Sequence, residues 1–171
     1  NVFPVPDGDT GTNMSLTIQT AVNELKKSEP ATVGEAAKIT AGALLRGARG
    51  NSGVILSLLF RGLSKSVKGL TDMDGVQLAA AMAEGVTTAY GAVMKPAEGT
   101  VLTVSRLAAA RAVEAAQENP SAEYVLEQAI AAGYETLAQT IDMNPVLKKA
   151  GVVDAGGKGY LIILDGMLRA L

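Results

Sequence analysis

Hydrophobic residues recur along most of the chain with the spacing of α-helices. In the first such segment, Met14, Ile18, Val22 and Leu25 lie three or four positions apart, which places their side chains on one face of a helix. The same pattern predicts further helices that begin near Thr32, Ser52, Thr71, Thr100, Ser121, Pro145 and Gly157. No segment of useful length alternates apolar and polar residues, and the prolines near the start of the chain argue against a strand there.

Several of these predicted helices carry recognisable start signals. Thr32 and Glu35 have the spacing of a capping box, in which each side chain satisfies a backbone donor of the first turn. Ser52 and Thr100 are predicted to cap the helices that follow them, and Pro145 suits the first turn of a short helix. The chain is therefore predicted to be all-α, an antiparallel bundle of six to eight helices.

Four polar or glycine-rich loops follow residues 6, 48, 95 and 152, each close to a predicted helix N-terminus. If the helices run up and down with short links, alternate loops share one end of the bundle. We therefore expect these four loops to converge.

Composition narrows the classes of function. The 171 residues suit one domain with a substantial core, and a formal net charge of −2 gives no broad basic surface for nucleic acid. No apolar run reaches the ~20 residues that a membrane span needs. The absence of cysteine excludes disulfides and thiolate zinc sites and fits a cytoplasmic protein. Because the first residue is Asn1 rather than Met, we expect the chain to be part of a longer protein. We expect it to be the N-terminal domain of that protein.

The segment "DGDTGTN", which begins at Asp7, is the strongest candidate for chemistry. Asp7 and Asp9 are two residues apart, so both carboxylates can turn toward one ion, and hard oxygen ligands suit Mg²⁺ or Ca²⁺. The backbone N–H groups of Gly11, Thr12 and Asn13 open a helix, where the helix dipole favours anions. These residues indicate a metal–nucleotide site, and they also suit a plain turn followed by a helix cap. An EF-hand does not fit, because glycine stands at the fifth position of the loop.

Two further loops have some features of phosphate-binding turns. The segment "GARGNSG" places Asn51 and Ser52 at a helix start, where they suit either phosphate contacts or a plain turn between helices. The segment "GVVDAGGKG" is not a P-loop, because Gly156 is followed by Gly157 instead of lysine, and Lys158 is followed by Gly159 where serine or threonine is required. Its glycines around Asp154 nevertheless allow a ligand to approach the backbone closely.

Four motifs together resemble one known family. They are, in order over nearly the whole chain, "NVFPVPDGDTGTNM", "GARGNSGVILS", "KPAEGTVLTV" and "NPVLKKAGVVDAGGKGY". They are similar to the ATP-binding domain that bacterial fatty acid kinase shares with the nucleotide-binding subunit of dihydroxyacetone kinase, and the fatty acid kinase is the closer match. The resemblance implies an up-and-down barrel of about eight amphipathic helices, the first of them upstream of Asn1, with ATP and two Mg²⁺ ions bound at one end.

The resemblance also implies roles for individual residues. Asp7 and Asp9 would be the catalytic residues and would ligate Mg²⁺, and Asn1 would be a third, neutral metal ligand in place of an aspartate found in the dihydroxyacetone kinase branch. The residues implied to bind ATP are Thr10, Gly11, Thr12, Asn13, Asn51, Ser52, Thr100, Asp154, Ala155 and Gly156.

The implied activity is transfer of the γ-phosphate of ATP to a fatty acid carboxylate carried by a separate binding protein. The chain contains no histidine, and a carboxylate acceptor, already ionised at neutral pH, needs no general base. The implied partners are that fatty-acid-binding protein and further domains of the same polypeptide. A homodimer is also possible on this basis. Two alternatives also stay open: a dihydroxyacetone-type kinase subunit with a different acceptor, and a non-catalytic helical module that binds nucleotide or metal.

Overall fold

The computed structural model describes residues 8–171, and all the regular secondary structure within them is helical. Asn1 and Asp7 lie outside the described residues, as does any helix upstream of Asn1. The described helices are α1 (Thr10–Ser28), α2 (Val33–Gly47), α3 (Gly50–Ser66), α4 (Gly75–Ala92), α5 (Val101–Glu118), α6 (Ala122–Met143), the short α7 (Pro145–Ala150) and α8 (Ala155–Arg169). The prediction of an all-α bundle is confirmed.

The helices form a ring. Each of α1 to α5 packs against the next helix in the sequence, α6 packs against α8, and α8 returns to contact α1. Because the connections are short, successive long helices run in opposite directions. The N-termini of α1, α3, α5 and α8 therefore lie at one end of the ring, and those of α2, α4 and α6 lie at the other.

The core of the ring combines leucines with many alanines. Leu44, Leu56 and Leu161 are almost completely buried, and on α5 the side chains of Ala108 and Ala112 have no exposed surface. Such small side chains let neighbouring helix axes approach closely, while the leucines fill the space between them. None of the helices in residues 8–171 is long and apolar enough to cross a membrane.

Helix starts agree with the sequence at four positions and differ at three, since α4 begins at Gly75 rather than near Thr71, α8 begins at Ala155 rather than Gly157, and α3 also begins early. Thr32 Oγ1 accepts a hydrogen bond from the N–H of Glu35 at 3.1 Å, and Thr100 caps α5, both as predicted. The second half of the predicted capping box differs, because the Glu35 side chain accepts the N–H of Ala31 rather than that of Thr32. The prediction that Ser52 caps its helix is wrong, because α3 begins at Gly50 with Arg49 at the N-cap position. Gly50 has a φ of +65°, which glycine adopts at little cost, so the chain turns into the helix before it reaches Ser52.

Two glycines set the distance between α3 and α4. A methyl group on Gly62 would lie 2.5 Å from the carbonyl oxygen of Glu84, and one on Gly85 would overlap the carbonyl oxygen of Leu59. Backbone therefore meets backbone on both sides of this crossing, and neither position has room for a side chain.

Replacement of Gly85 by alanine is expected to lower the free energy of unfolding by about 1–3 kcal/mol. The new methyl group would push α3 away from α4, because the atom that it meets is a backbone oxygen that cannot rotate aside. Denaturant unfolding of the wild type and the variant measures this change.

Gly91→Ala is the matched control, since Gly91 lies on the same helix and nothing lies within 4 Å of a methyl group there. That change is expected to be neutral or to add up to about 1 kcal/mol of stability through helix propensity. Equal stability of the Gly85→Ala and Gly91→Ala variants would contradict the proposed role of the close crossing.

Candidate functional site

A cleft opens at the end of the ring where the predicted loops meet. The predicted convergence is confirmed for the described residues, since all four loop regions contribute to its lining. The cleft is lined by Thr10, Asn51, Ser52, Ile55, Val93, Lys95, Ala97, Thr100, Val101, Leu102, Asp154 and Gly156.

Within the described residues, the N-termini of four helices face this cleft. Thr10 is the first residue of α1, Ser52 belongs to the first turn of α3, Val101 begins α5 and Gly156 is the second residue of α8. A helix N-terminus carries a partial charge of about +0.5 from its aligned peptide dipoles. Four such termini around one cleft make it a favourable place for an anion.

The start of α1 presents one carboxylate beside the cleft. Asp9 occupies the N-cap position of α1, its side chain makes no capping hydrogen bond and it is exposed. Its carbonyl oxygen accepts the N–H of Asn13 at 2.8 Å. Residues 8–171 hold no group of three or more acidic, histidine or cysteine side chains that could bind a metal among themselves, and Asp7 and Asn1, the other predicted metal ligands, lie outside that range.

The loop before α3 is fixed to α1. Arg49 donates its N–H to Thr17 Oγ1 at 3.1 Å, and a methyl group on Gly53 would lie 2.5 Å from the same oxygen. The side chain of Asn13 covers Gly50. These contacts place Asn51 and Ser52 at the cleft.

The loop before α5 is held by a polar network. Glu98 accepts hydrogen bonds from Thr103 Oγ1 at 2.8 Å and from Arg106 at 3.1 Å, while Arg106 Nε also donates to the hydroxyl of Tyr90 at 3.1 Å. The N–H of Gly99 donates to Thr103 Oγ1 at 3.0 Å. This network fixes the loop that carries Lys95 and leads into Thr100.

Asp154 is a buried carboxylate in the cleft wall. It caps α8 by accepting the N–H of Gly157 at 2.8 Å, and its own N–H donates to Thr140 Oγ1 at 3.1 Å. Burial raises the pKa of Asp154, while hydrogen bonds from the N–H groups of Gly157 and Val101 act in the opposite direction without cancelling the effect. Burial of a carboxylate costs free energy of solvation, and titratable groups with a pKa shifted by burial are typical of functional sites.

The structure does not bring every predicted residue to the cleft. Gly11 and Ala155 line a neighbouring groove between α1 and α8, together with Met14 and Lys158. Thr12 and Asn13 line neither the cleft nor this groove.

Sequence reasoning missed the apolar part of the cleft wall and one cation. Ile55, Val93 and Leu102 provide apolar surface, and Lys95 is the one basic side chain among the described residues that line the cleft. The segment "MKPAEGT" offered a signal for Lys95, since a lysine there lies in a polar loop that leads into a helix start. The apolar residues gave no local signal, because their spacing is that of ordinary core positions.

Asp154→Asn is expected to raise the melting temperature at pH 7 and to change it little near pH 4. Burial raises the pKa of Asp154, so the folded state favours the protonated acid over the carboxylate. The stability that the protonated acid contributes is lost as the pH rises through the raised pKa. Asparagine keeps an acceptor oxygen for Gly157 and carries no charge at any pH. Thermal unfolding of both proteins across this pH range measures the effect, and a melting-temperature difference that does not grow with pH would contradict it.

Comparisons with known proteins identify the family of this chain. A family model described as DAK2 domain matches residues 4–169. The chain is 49% identical over 171 residues to an uncharacterized protein of Staphylococcus haemolyticus, and 48% and 47% identical to uncharacterized proteins of two Staphylococcus aureus strains, bovine RF122 / ET3-1 and USA300. Each match covers 100% of this chain and 31% of the relative, so the chain spans about a third of the length of these curated relatives.

The family model covers nearly the whole chain, including all eight described helices and every residue that lines the cleft. The chain therefore belongs to the DAK2 domain family, which is the kinase-related, nucleotide-binding domain type of the dihydroxyacetone kinase L subunit.

Proposed function

We propose that this domain is an ATP- and Mg²⁺-dependent kinase domain that phosphorylates a fatty acid carboxylate presented by a separate binding protein. The observation that carries the proposal is the convergence of four helix N-termini on one cleft, within the described residues. Phosphoryl transfer requires positioning and charge neutralisation more than it requires covalent catalysis. A cleft surrounded by helix N-termini supplies both.

The walls of the cleft suit the two parts of a nucleotide. The hydroxyl of Ser52, the amide of Asn51 and the ammonium of Lys95 can donate hydrogen bonds to phosphate oxygens. Ile55, Val93 and Leu102 offer apolar surface to a flat base. This division, apolar walls with a few convergent polar groups, is typical of small-molecule sites.

Asp9 fits the proposed role of a metal ligand. Its carboxylate is exposed at the start of α1 and makes no capping hydrogen bond, and carboxylate oxygen is the donor that Mg²⁺ prefers. We propose that Asp9 holds the metal together with Asp7 and Asn1. Mg²⁺, when bound, would neutralise charge on the phosphate oxygens.

A carboxylate acceptor requires no histidine base from this chain, which contains none. A carboxylate oxygen attacks the γ-phosphorus directly, the bond from that phosphorus to the bridging oxygen breaks, and ADP leaves with the electron pair. No proton has to be removed from the acceptor, since it is ionised at neutral pH. The product is an acyl phosphate. The chain has to bind ATP, align its γ-phosphate with the acceptor and neutralise the phosphate charge, and it does not have to act as a base.

We propose that the acceptor site lies on a partner and that the rest of the polypeptide helps to bring that partner to the cleft. The relatives are about three times as long as this chain, which leaves room for domains that engage an acceptor protein. This assembly would operate in the cytoplasm, where ATP and acyl carriers meet.

Asp9→Asn is expected to weaken Mg²⁺-dependent binding of an ATP analogue by at least about tenfold. Asparagine preserves the size and turn preference of the residue and removes the charge that would hold the metal. Calorimetric titration with and without Mg²⁺ measures the change.

The alanine variants Asp7→Ala and Asp9→Ala are expected to abolish Mg²⁺-dependent turnover of ATP, while the helical fold stays intact.

Asp74→Asn is the matched control for the calorimetric titration. Asp74 is also an N-cap aspartate, but it begins α4 at the opposite end of the ring, so its replacement should leave binding unchanged. Equal binding by the wild type and the Asp9→Asn variant would overturn the metal assignment.

Transfer to the acceptor is tested with a fatty acid delivered on its binding protein. ADP and an acyl phosphate, trapped as a hydroxamate by hydroxylamine, are expected in equal amounts. Transfer to dihydroxyacetone on a partner protein instead would support the related kinase subunit. Binding of Mg²⁺-ATP with no transfer to any acceptor would support a non-catalytic module.

A further inference from the structure

Two loops of the candidate site end on the same hydrogen-bonding arrangement. Arg49 is the N-cap residue of α3 and Asp154 is the N-cap residue of α8. The N–H of each donates, at 3.1 Å, to the hydroxyl oxygen of a threonine on another helix, Thr17 on α1 and Thr140 on α6 respectively. Both threonines are completely buried, with 0% of their surface exposed.

Each of these hydroxyl groups also has its own proton engaged. Thr17 Oγ1 donates to the carbonyl oxygen of Asn13, and Thr140 Oγ1 donates to that of Leu137, both at 2.6 Å. A threonine hydroxyl has one proton and two acceptor lone pairs. Because the proton is committed within the threonine's own helix, the oxygen is oriented as an acceptor for the incoming N–H.

The helices that begin at the opposite end of the ring satisfy the same backbone group differently. The N–H of Asp74, the N-cap residue of α4, donates to the side chain of Gln77 in its own first turn. The N–H of Ser121, the N-cap residue of α6, donates to the side chain of Asn119 in the preceding loop. Both contacts are local and exposed, and the helix starts at that end are linked to other segments by backbone bonds, such as that from the N–H of Gly75 to the carbonyl oxygen of Pro120 at 2.7 Å. Among these helices, a buried threonine hydroxyl accepts the N-cap N–H only at the end that carries the cleft.

We propose that Thr17 and Thr140 are positioning residues for nucleotide binding, which rests on the proposed function of the cleft. Thr140 fixes where α8 begins relative to α6 and so holds Asp154 and Gly156 at the cleft. Thr17 fixes where α3 begins relative to α1 and so holds Asn51 and Ser52 there. Groups that are held in place before the ligand arrives lose less freedom on binding, and the affinity is higher for that reason.

Thr140→Val tests the proposal, because valine keeps the shape of the side chain and removes the hydroxyl. It is expected to weaken binding of Mg²⁺ with a non-hydrolysable ATP analogue by about tenfold, the scale of one buried hydrogen bond. Thr140→Ser restores the hydroxyl and should bind within about twofold of the wild type. Thr17→Val and Thr17→Ser should behave in the same way, through the other loop.

Thr136→Val is the matched control on the same helix. Thr136 is also buried, and its hydroxyl donates only to the carbonyl oxygen of Ala132, one turn back in α6. Titrations are made well below the melting temperature of every variant, so that each protein is fully folded. Thr136→Val is expected to bind the analogue as the wild type does.

The outcomes separate this proposal from the proposed function. A Thr140→Val protein that melts earlier but binds the analogue as tightly as the wild type would overturn the positioning role and leave the nucleotide site intact. Equal weakening by Thr136→Val would also overturn the positioning role, because any buried hydroxyl on α6 would then have the same effect. A wild-type protein that does not bind the analogue would overturn the nucleotide site itself, and the positioning role with it.

Discussion

The contact between α8 and α1 is the constraint on which the candidate site depends. It closes the ring and brings the last long helix of the chain beside the first. The contact is close at Gly159, where a methyl group would lie 2.7 Å from the sulfur of Met14. Without this closure, Thr10 and Gly156 would be separated, and the N-termini of α1 and α8 would no longer face one cleft.

The alternating direction of the helices gives the ring two chemically different ends. One end collects the N-termini of α1, α3, α5 and α8, whose dipoles are positive there. The field at that end comes from backbone, so a site for an anion can form in a chain whose net charge is −2. It requires few basic side chains, and Lys95 is the one that lines the described part of the cleft.

The two ends also differ in how they are stabilised. At the cleft, buried hydroxyl groups and a buried carboxylate fix the loops, and Asp154 is kept there although burial raises its pKa. At the opposite end, the side-chain caps of α4 and α6 are local and exposed, and backbone bonds such as that from the N–H of Gly75 to the carbonyl oxygen of Pro120 link the helix starts to other segments. Proteins commonly keep such costly groups where a ligand must be held precisely, and they recover the stability elsewhere in the core.

The sequence by itself determined the helices, most of their caps and the four loops that meet at the cleft. Those features depend on residues within a few positions of one another, such as Thr32 with Glu35. Only the tertiary structure decided that α3 begins at Gly50, that Ile55 belongs to the cleft wall, and that Thr17 and Thr140 hold two of the loops. The bond from Arg49 to Thr17 spans 32 residues, and a partner at that separation leaves no periodic mark in the sequence. Helix packing decides which buried threonine contacts a loop. The residues next to a buried threonine in the sequence do not reveal this, because the loop that it contacts comes from a distant part of the chain.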